Sequence, residues 1–259
     1  MSAGPCRLDA GVQRQEVALR GDLADGGDDL VNPLRLLGKL DQIIELSVRC
    51  HVDYFFIGGS LLVNSQLDQC LQMIRQQCQI PMILFPGSTY QVSNKADAIL
   101  FLSLVSGRNP DLLIGQHVIA APYLKLSSLE VLPTGYMLID GGVGTTVLYM
   151  SNTSPIPSNK ADIAVCTAMA AEMLGLKMIF MDAGSGASRP VSAEMIAAVS
   201  GAVSIPLIVG GGIRTAEKVQ ENLNAGADVI VMGNAFEHDP SLLIDISATI
   251  HSHNVTLNV

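Results

Sequence analysis

The sequence predicts an eight-stranded parallel (β/α)8 barrel, and three observations carry that prediction. From Leu40 onward, short apolar runs alternate with helical patterns, and no long polar linker divides them. Three of these runs are Met178-Ile179-Phe180-Met181-Asp182, Pro206-Leu207-Ile208-Val209 and Asp228-Val229-Ile230-Val231-Met232. Each breaks into glycine where a parallel strand would end. The composition is 49% hydrophobic and 15% charged with a mean hydropathy of +0.38, which suits strands covered on both faces by helices. A chain of 259 residues is the size of one such domain.

Taken in order, the first 38 residues stand apart from the rest. They mix Gly, Asp and Arg without sustained periodicity, as in Gly21-Asp22-Leu23-Ala24-Asp25-Gly26-Gly27-Asp28-Asp29, which reads as a loop or poorly ordered segment. Their strand candidates are Glu16-Val17-Ala18-Leu19 and the short Leu30-Val31. Residues 39–259 read as one phosphate-binding barrel domain. In it, Leu40, Ile43, Ile44 and Leu46 to Val48 form the apolar face of a helix leading to the strand Asp53–Ile57, which ends in Gly58-Gly59-Ser60. A helix over 64–79 starts on Asn64 as its cap and groups Leu67, Leu71 and Ile74. Pro81 opens the strand Met82–Phe85, Pro86-Gly87-Ser88 closes it, and Asp97–Leu102 is the next strand. Asn109-Pro110 starts a helix over 111–121.

The strand Tyr136–Asp140 ends in Gly141-Gly142-Val143-Gly144. Tyr149 to Lys160 is rich in Pro, Ser and Asn and predicts a long functional loop. An Ala- and Met-rich helix follows over 162–174, and the last helices span roughly 192–201, 214–225 and 240–251. Seven strands follow Asp53, so the eighth must come from residues 1–38 if the barrel closes.

Charge and cysteine content exclude several function classes. A net charge of −9 repels nucleic acid and anionic membranes, so a bound phosphate must be held locally. No apolar run reaches the roughly 18–20 residues of a membrane span, and the N-terminus lacks the apolar core of a signal peptide, which points to a cytoplasmic protein. Cys6, Cys50, Cys70, Cys78 and Cys166 are scattered without a CxxC pair, which argues for reduced thiols and against a zinc site. His251-Ser252-His253 reads as a polar tail.

The glycine breaks Ala183-Gly184-Ser185-Gly186, Gly210-Gly211-Gly212 and Gly233-Asn234 fall at successive strand ends, where barrels commonly hold a phosphate. Glycine there lets the backbone approach an anion closely; the competing role is a tight turn. Asp182, one residue before the first break, suits a base or hydrogen-bond acceptor for a substrate hydroxyl, with helix capping as the alternative. Ser60 suits either a helix cap or a ligand for a hard cation. Gly184-Ser185-Gly186 lacks the third glycine of a dinucleotide site, and Gly38-Lys39 lacks the rest of a P-loop.

Asp53 to Ser60, Leu84-Phe85-Pro86-Gly87-Ser88, Leu100 to Pro110, Ser151-Asn152-Thr153-Ser154-Pro155-Ile156-Pro157 and the three glycine breaks resemble geranylgeranylglyceryl phosphate synthase and its heptaprenyl relatives. The resemblance spans about residues 40–254 and implies a modified (β/α)8 TIM barrel. It also implies Mg²⁺-dependent transfer of a polyprenyl group, geranylgeranyl expected, from its diphosphate to the C3 hydroxyl of sn-glycerol 1-phosphate in ether-lipid synthesis. A homo-oligomer is implied as well. By position, Phe180, Met181, Asp182, Ala183, Gly184, Ser185 and Gly186 match the family's Tyr-Leu-Glu-Ala-Gly-Ser-Gly type segment that holds glycerol phosphate. Gly211, Gly212, Gly233 and Asn234 match its phosphate-binding glycines and Asn, and Ser60 matches a Mg²⁺ ligand.

Phe180 lacks the family's phenol, and Asp182 is one methylene shorter than Glu. The larger departure is the family's Ile-Asp-Pro-Asp-Lys type motif at the end of the first strand, whose first Asp is the main Mg²⁺ ligand. The nearest match is Leu30-Val31-Asn32-Pro33-Leu34-Arg35, with Asn in place of Asp. An amide oxygen can ligate Mg²⁺ but adds no negative charge. Three accounts remain open: a divergent first strand rescued by Asp25, Asp28 or Asp29; a non-catalytic phosphometabolite-binding barrel that has lost its metal site; or a corrupted first segment. The compositional break near Leu40 favours the third.

Overall fold

The computed structural model describes residues 16–21, 33–59, 67–233, 235–236 and 239–257. Eight parallel strands close into a barrel in sequence order: β1 Glu16–Gly21, β2 Tyr54–Gly59, β3 Met82–Pro86, β4 Ala98–Leu104, β5 Glu130–Leu138, β6 Met178–Asp182, β7 Leu207–Gly210 and β8 Val229–Met232. The helices α1 Pro33–Arg49, α2 Leu67–Gln77, α3 Gln116–Leu126, α4 Thr146–Ser151, α5 Ala161–Met173, α6 Ala193–Ser200, α7 Ala216–Asn224 and α8 Leu242–Leu257 lie in the connections and after β8.

The seam runs through the atypical segment. Glu16–Gly21 pairs with β2 from Ala18↔Tyr54 to Gly21↔Ile57, and with β8 from Glu16↔Val229 to Leu19↔Met232. The eighth strand is therefore the Glu16-Val17-Ala18-Leu19 candidate. Leu30-Val31 and Asn32 lie outside the described residues, and Pro33 begins α1. This corrects the placement of Asn32 at the end of the first strand, which ends eleven residues earlier at Gly21. A domain boundary at residue 38 would cut α1 and exclude β1 from the barrel it closes.

Strand alternation makes two cores. Phe56, Phe85, Leu100, Tyr136, Phe180 and Val231 belong to the cluster that fills the barrel interior. Residues of opposite parity, such as Ile57, Leu84, Met137, Ile179 and Val209, pack against the helix layer.

Three elements differ from the sequence reading. β5 starts at Glu130, six residues earlier than predicted, and ends at Leu138. Residues Tyr149 to Ser151 lie in α4, whose N-cap Thr145 accepts from Leu148 N and whose C-cap Asn152 turns left-handed at φ 48°. The rest of that segment returns to the barrel, where Ile156 bridges to Ile139 just beyond β5. The helix predicted over 111–121 opens as a π-helical turn, Asp111–Gly115, and continues as α3 through Pro122.

Candidate active site

The loops after β6, β7 and β8 enclose a small cavity of about 60 Å³. Phe180, Asp182, Ser185, Gly186, Gly211, Gly212 and Gly233 all line it, so most of the predicted glycerol phosphate residues converge. Met181 and Ala183 do not: they face the helix layer, as their position one residue out of phase with Phe180 and Asp182 requires. Gly184 is not among the residues lining the cavity, and its N–H is donated to Asp182 Oδ1 at 2.7 Å. Ser60, which directly follows β2, and Asn234 lie outside the described residues.

Local backbone chemistry explains this shape. Gly211 (φ +81°) and Gly212 (φ +70°) turn left-handed in succession. A Cβ on Gly211 would stand 2.5 Å from Asp182 Oδ1 and 2.7 Å from the Ala183 and Gly184 nitrogens. The β7 loop thus presses its bare backbone onto the β6 loop. Arg214 Nη2 donates to Ala187 O at 3.1 Å and fastens the same two loops, placing an exposed guanidinium on the cavity wall.

Asp182 is fully buried, with 0% of its surface exposed. Besides the Gly184 amide on Oδ1, its Oδ2 accepts from the Tyr136 hydroxyl at 2.7 Å. Tyr136 was not singled out by sequence, because it sits 46 residues before its partner. Its ring packs at 5.5 Å and 73° on Phe180 and at 5.9 Å on Phe85, while Phe85 and Phe180 stack at 5.2 Å. The loss of a phenol at position 180 is thus accompanied by a phenol from β5 at the same carboxylate.

A second, larger cavity of about 190 Å³ adjoins this one through Tyr136, which lines it. It is an apolar groove between the ends of β3 and β4, α3 and α4, with walls including Phe85, Leu102, Leu112, His117 and Met150. Its floor is braced by two recognised motifs: Asn109 Nδ2 donates to Ser151 O at 2.9 Å, and Gly107 lies against the Thr153 side chain. His117 is buried, with its Nε2 3.2 Å from Ser103 Oγ and Nδ1 without a partner among the described residues. Burial holds its pKa below the ordinary value, so a neutral imidazole faces the groove at neutral pH.

A glycine-lined cradle beside an apolar groove at the C-terminal face of a parallel barrel is the arrangement of a barrel enzyme's active site. Residues 37–250 match the PcrB family, and the chain belongs to that family. It is 56% identical over 227 residues to the geranylgeranylglyceryl phosphate synthase of Chitinophaga pinensis, covering 86% of this chain and 87% of that one. The corresponding enzyme of Spirosoma linguale is 56% identical over 203 residues, covering 78% and 82% of the two chains. Among solved structures, (S)-3-O-geranylgeranylglyceryl phosphate synthase from Thermoplasma acidophilum, in complex with its substrate sn-glycerol 1-phosphate, superposes with a TM-score of 0.82. It is 30% identical, with 92% of this chain and 94% of that chain covered. The family resemblance read from the motifs therefore holds, and the chain is a relative of prenyltransferases.

Proposed function

We propose that this protein joins a polyprenyl group, geranylgeranyl the expected one, from its diphosphate to the C3 hydroxyl of sn-glycerol 1-phosphate. The observation that carries this reading is the adjacency of the two cavities. The cradle of Ser185, Gly186, Gly211, Gly212 and Gly233 takes the acceptor phosphate, and the groove takes the prenyl chain. Tyr136 and Asp182 stand between them. Backbone amides of left-handed glycines suit a phosphate that a chain of net charge −9 would otherwise repel. Burial of an isoprenoid against Phe85, Leu102, Leu112 and Met150 supplies binding energy remote from the reacting carbon.

Mg²⁺ dependence belongs to this proposal through the family resemblance. Bound Mg²⁺ would neutralise charge on the departing diphosphate. Among the described residues no group of three or more His, Cys, Asp or Glu is placed to hold a metal; Mg²⁺ is commonly held by one or two carboxylates together with substrate phosphates and water. Ser60 and the carboxylates of Asp25, Asp28 and Asp29 lie outside the described residues. The roles given to the cradle, the groove, Tyr136 and Asp182 are independent of the ion.

A homo-oligomer and a cytoplasmic site of action complete the proposal. Val118, Ile119, Tyr123 and Leu126 of α3 are exposed, as are Met173 and Leu174 at the end of α5, and such apolar surface suits contact with a second copy. Cys50, Cys70, Cys78 and Cys166 are free thiols, which fits a reducing compartment. Among the described residues no helix is long and apolar enough to cross a membrane. Incubation of the pure protein with labelled geranylgeranyl diphosphate, sn-glycerol 1-phosphate and Mg²⁺ should yield a labelled ether, and chelation should abolish it. No ether above background would refute the assignment, and glycerol 1-phosphate binding without turnover would make the chain a non-catalytic barrel.

A further inference from the structure

We propose that Tyr136 is a catalytic residue that relays the proton of the acceptor hydroxyl to Asp182, an inference that rests on the prenyl-transfer reading above. Both oxygens of the buried Asp182 carboxylate already hold donors, the Gly184 amide on Oδ1 and the Tyr136 hydroxyl on Oδ2, each at 2.7 Å. Asp182 borders the cradle but has 0% of its surface exposed, so a substrate hydroxyl approaching it directly would have to share an oxygen that already accepts a donor.

Tyr136 is placed differently. It lines the apolar groove, while its hydroxyl touches the carboxylate that borders the cradle. Its oxygen therefore stands at the junction where a hydroxyl held by its phosphate would meet the first carbon of a prenyl chain. A phenol that donates one hydrogen bond can accept another. The Phe85 and Phe180 rings, 5.9 and 5.5 Å from its ring, fix the direction of the hydroxyl. The phenol thus extends the reach of a carboxylate that is one methylene shorter than Glu.

In the step, the acceptor oxygen bonds to the allylic carbon as the bond from that carbon to the diphosphate oxygen breaks, its electron pair leaving with the diphosphate. The acceptor proton passes to the phenol oxygen while the phenolic proton passes to Asp182 Oδ2. Asp182 then returns its proton through the phenol to water as product leaves. General-base assistance of this kind contributes about 10²–10⁴-fold.

Kinetics of ether formation by wild type and Tyr136→Phe, with glycerol 1-phosphate affinity from calorimetry, test the relay. The expected result is a fall in kcat of about 100-fold or more, with KM and Kd for glycerol 1-phosphate within about twofold. A kcat within about threefold of wild type, or a loss confined to KM, overturns the relay. Because Tyr136→Phe strands a buried carboxylate oxygen, 3,5-difluorotyrosine at position 136 serves as a shape-preserving second variant. The relay needs a protonated phenol, so the alkaline limb of the kcat profile should move to lower pH; an unmoved limb overturns the proposal. Ether formation by wild type with Tyr136→Phe unaffected rejects the relay alone, whereas no ether from wild type rejects the prenyl-transfer reading and the relay together.

Discussion

At the scale of single residues, Gly211 is where shape and chemistry are least separable. Its left-handed backbone and the 2.5 Å clearance to Asp182 Oδ1 leave no room for a Cβ. Gly211→Ala should lower stability by roughly 1–3 kcal/mol and weaken glycerol 1-phosphate binding more than tenfold, as read by urea unfolding and calorimetry. Gly144 is the control: a Cβ there would meet nothing within 4 Å, and Gly144→Ala should change neither. His117 gives a pH signature. Its folded pKa is depressed from 6.5 by burial, so the unfolded chain takes up the proton first. Its contribution to stability is therefore whole above about pH 6.5 and is lost as pH falls from there toward the folded value. His117→Leu should flatten that acid-side slope in urea unfolding measured from pH 7 to 5. The glycines and Asp182 were legible in the sequence because each sits at the end of an apolar run. The saturation of Asp182 was not, since Tyr136 reaches it from another strand and only the β5–β6 register, Leu138↔Asp182 and Tyr136↔Phe180, brings them together.

Among the elements, the helices and strands from β2 onward were largely foreseen from their apolar periods, and the misses have separate local causes. β5 runs through Pro133 and Gly135, residue types that disfavour strands. Pro133 lacks an N–H but its carbonyl accepts from Lys177 N at 2.8 Å, so it still contributes to the ladder. Likewise α4 is too short to show a helical period, and its signals are the Thr145 cap and the Asn152 stop. The contact between the loop after β4 and the segment after α4 sets the groove. A Cβ on Gly107 would stand 2.6 Å from Thr153 Cγ2. Gly107→Ala should raise KM for the prenyl diphosphate several-fold, and adding Thr153→Ser, which removes that methyl, should restore it. Additive effects in this double-mutant cycle would show the two segments to be uncoupled.

For the whole molecule, the decisive feature is the closure of the barrel by β1. Its ladder to β2 and β8 is made of backbone groups, so an unusual side-chain sequence can still complete it. This is why the fold class was plainly legible while the first strand was legible only as one of two short candidates, Glu16-Val17-Ala18-Leu19 and Leu30-Val31: hydrogen-bonding capacity leaves no mark in composition. Removing residues 1–21 should expose the edges of β2 and β8, and the truncated chain should aggregate and lose its cooperative thermal transition, measured by size exclusion and circular dichroism. A soluble, cooperative truncated barrel would show that β1 is dispensable.

The same seam also sets an order in time. Of the eight barrel strands, β1 leaves the ribosome first and its partner β8 last. At about 5–20 residues per second, roughly two hundred residues must be made between them, so β1 waits on the order of ten seconds or more before the ring can shut. Until then the nascent chain is an open, curled sheet with two unpaired rims, and its most vulnerable state belongs to its synthesis rather than to its working life.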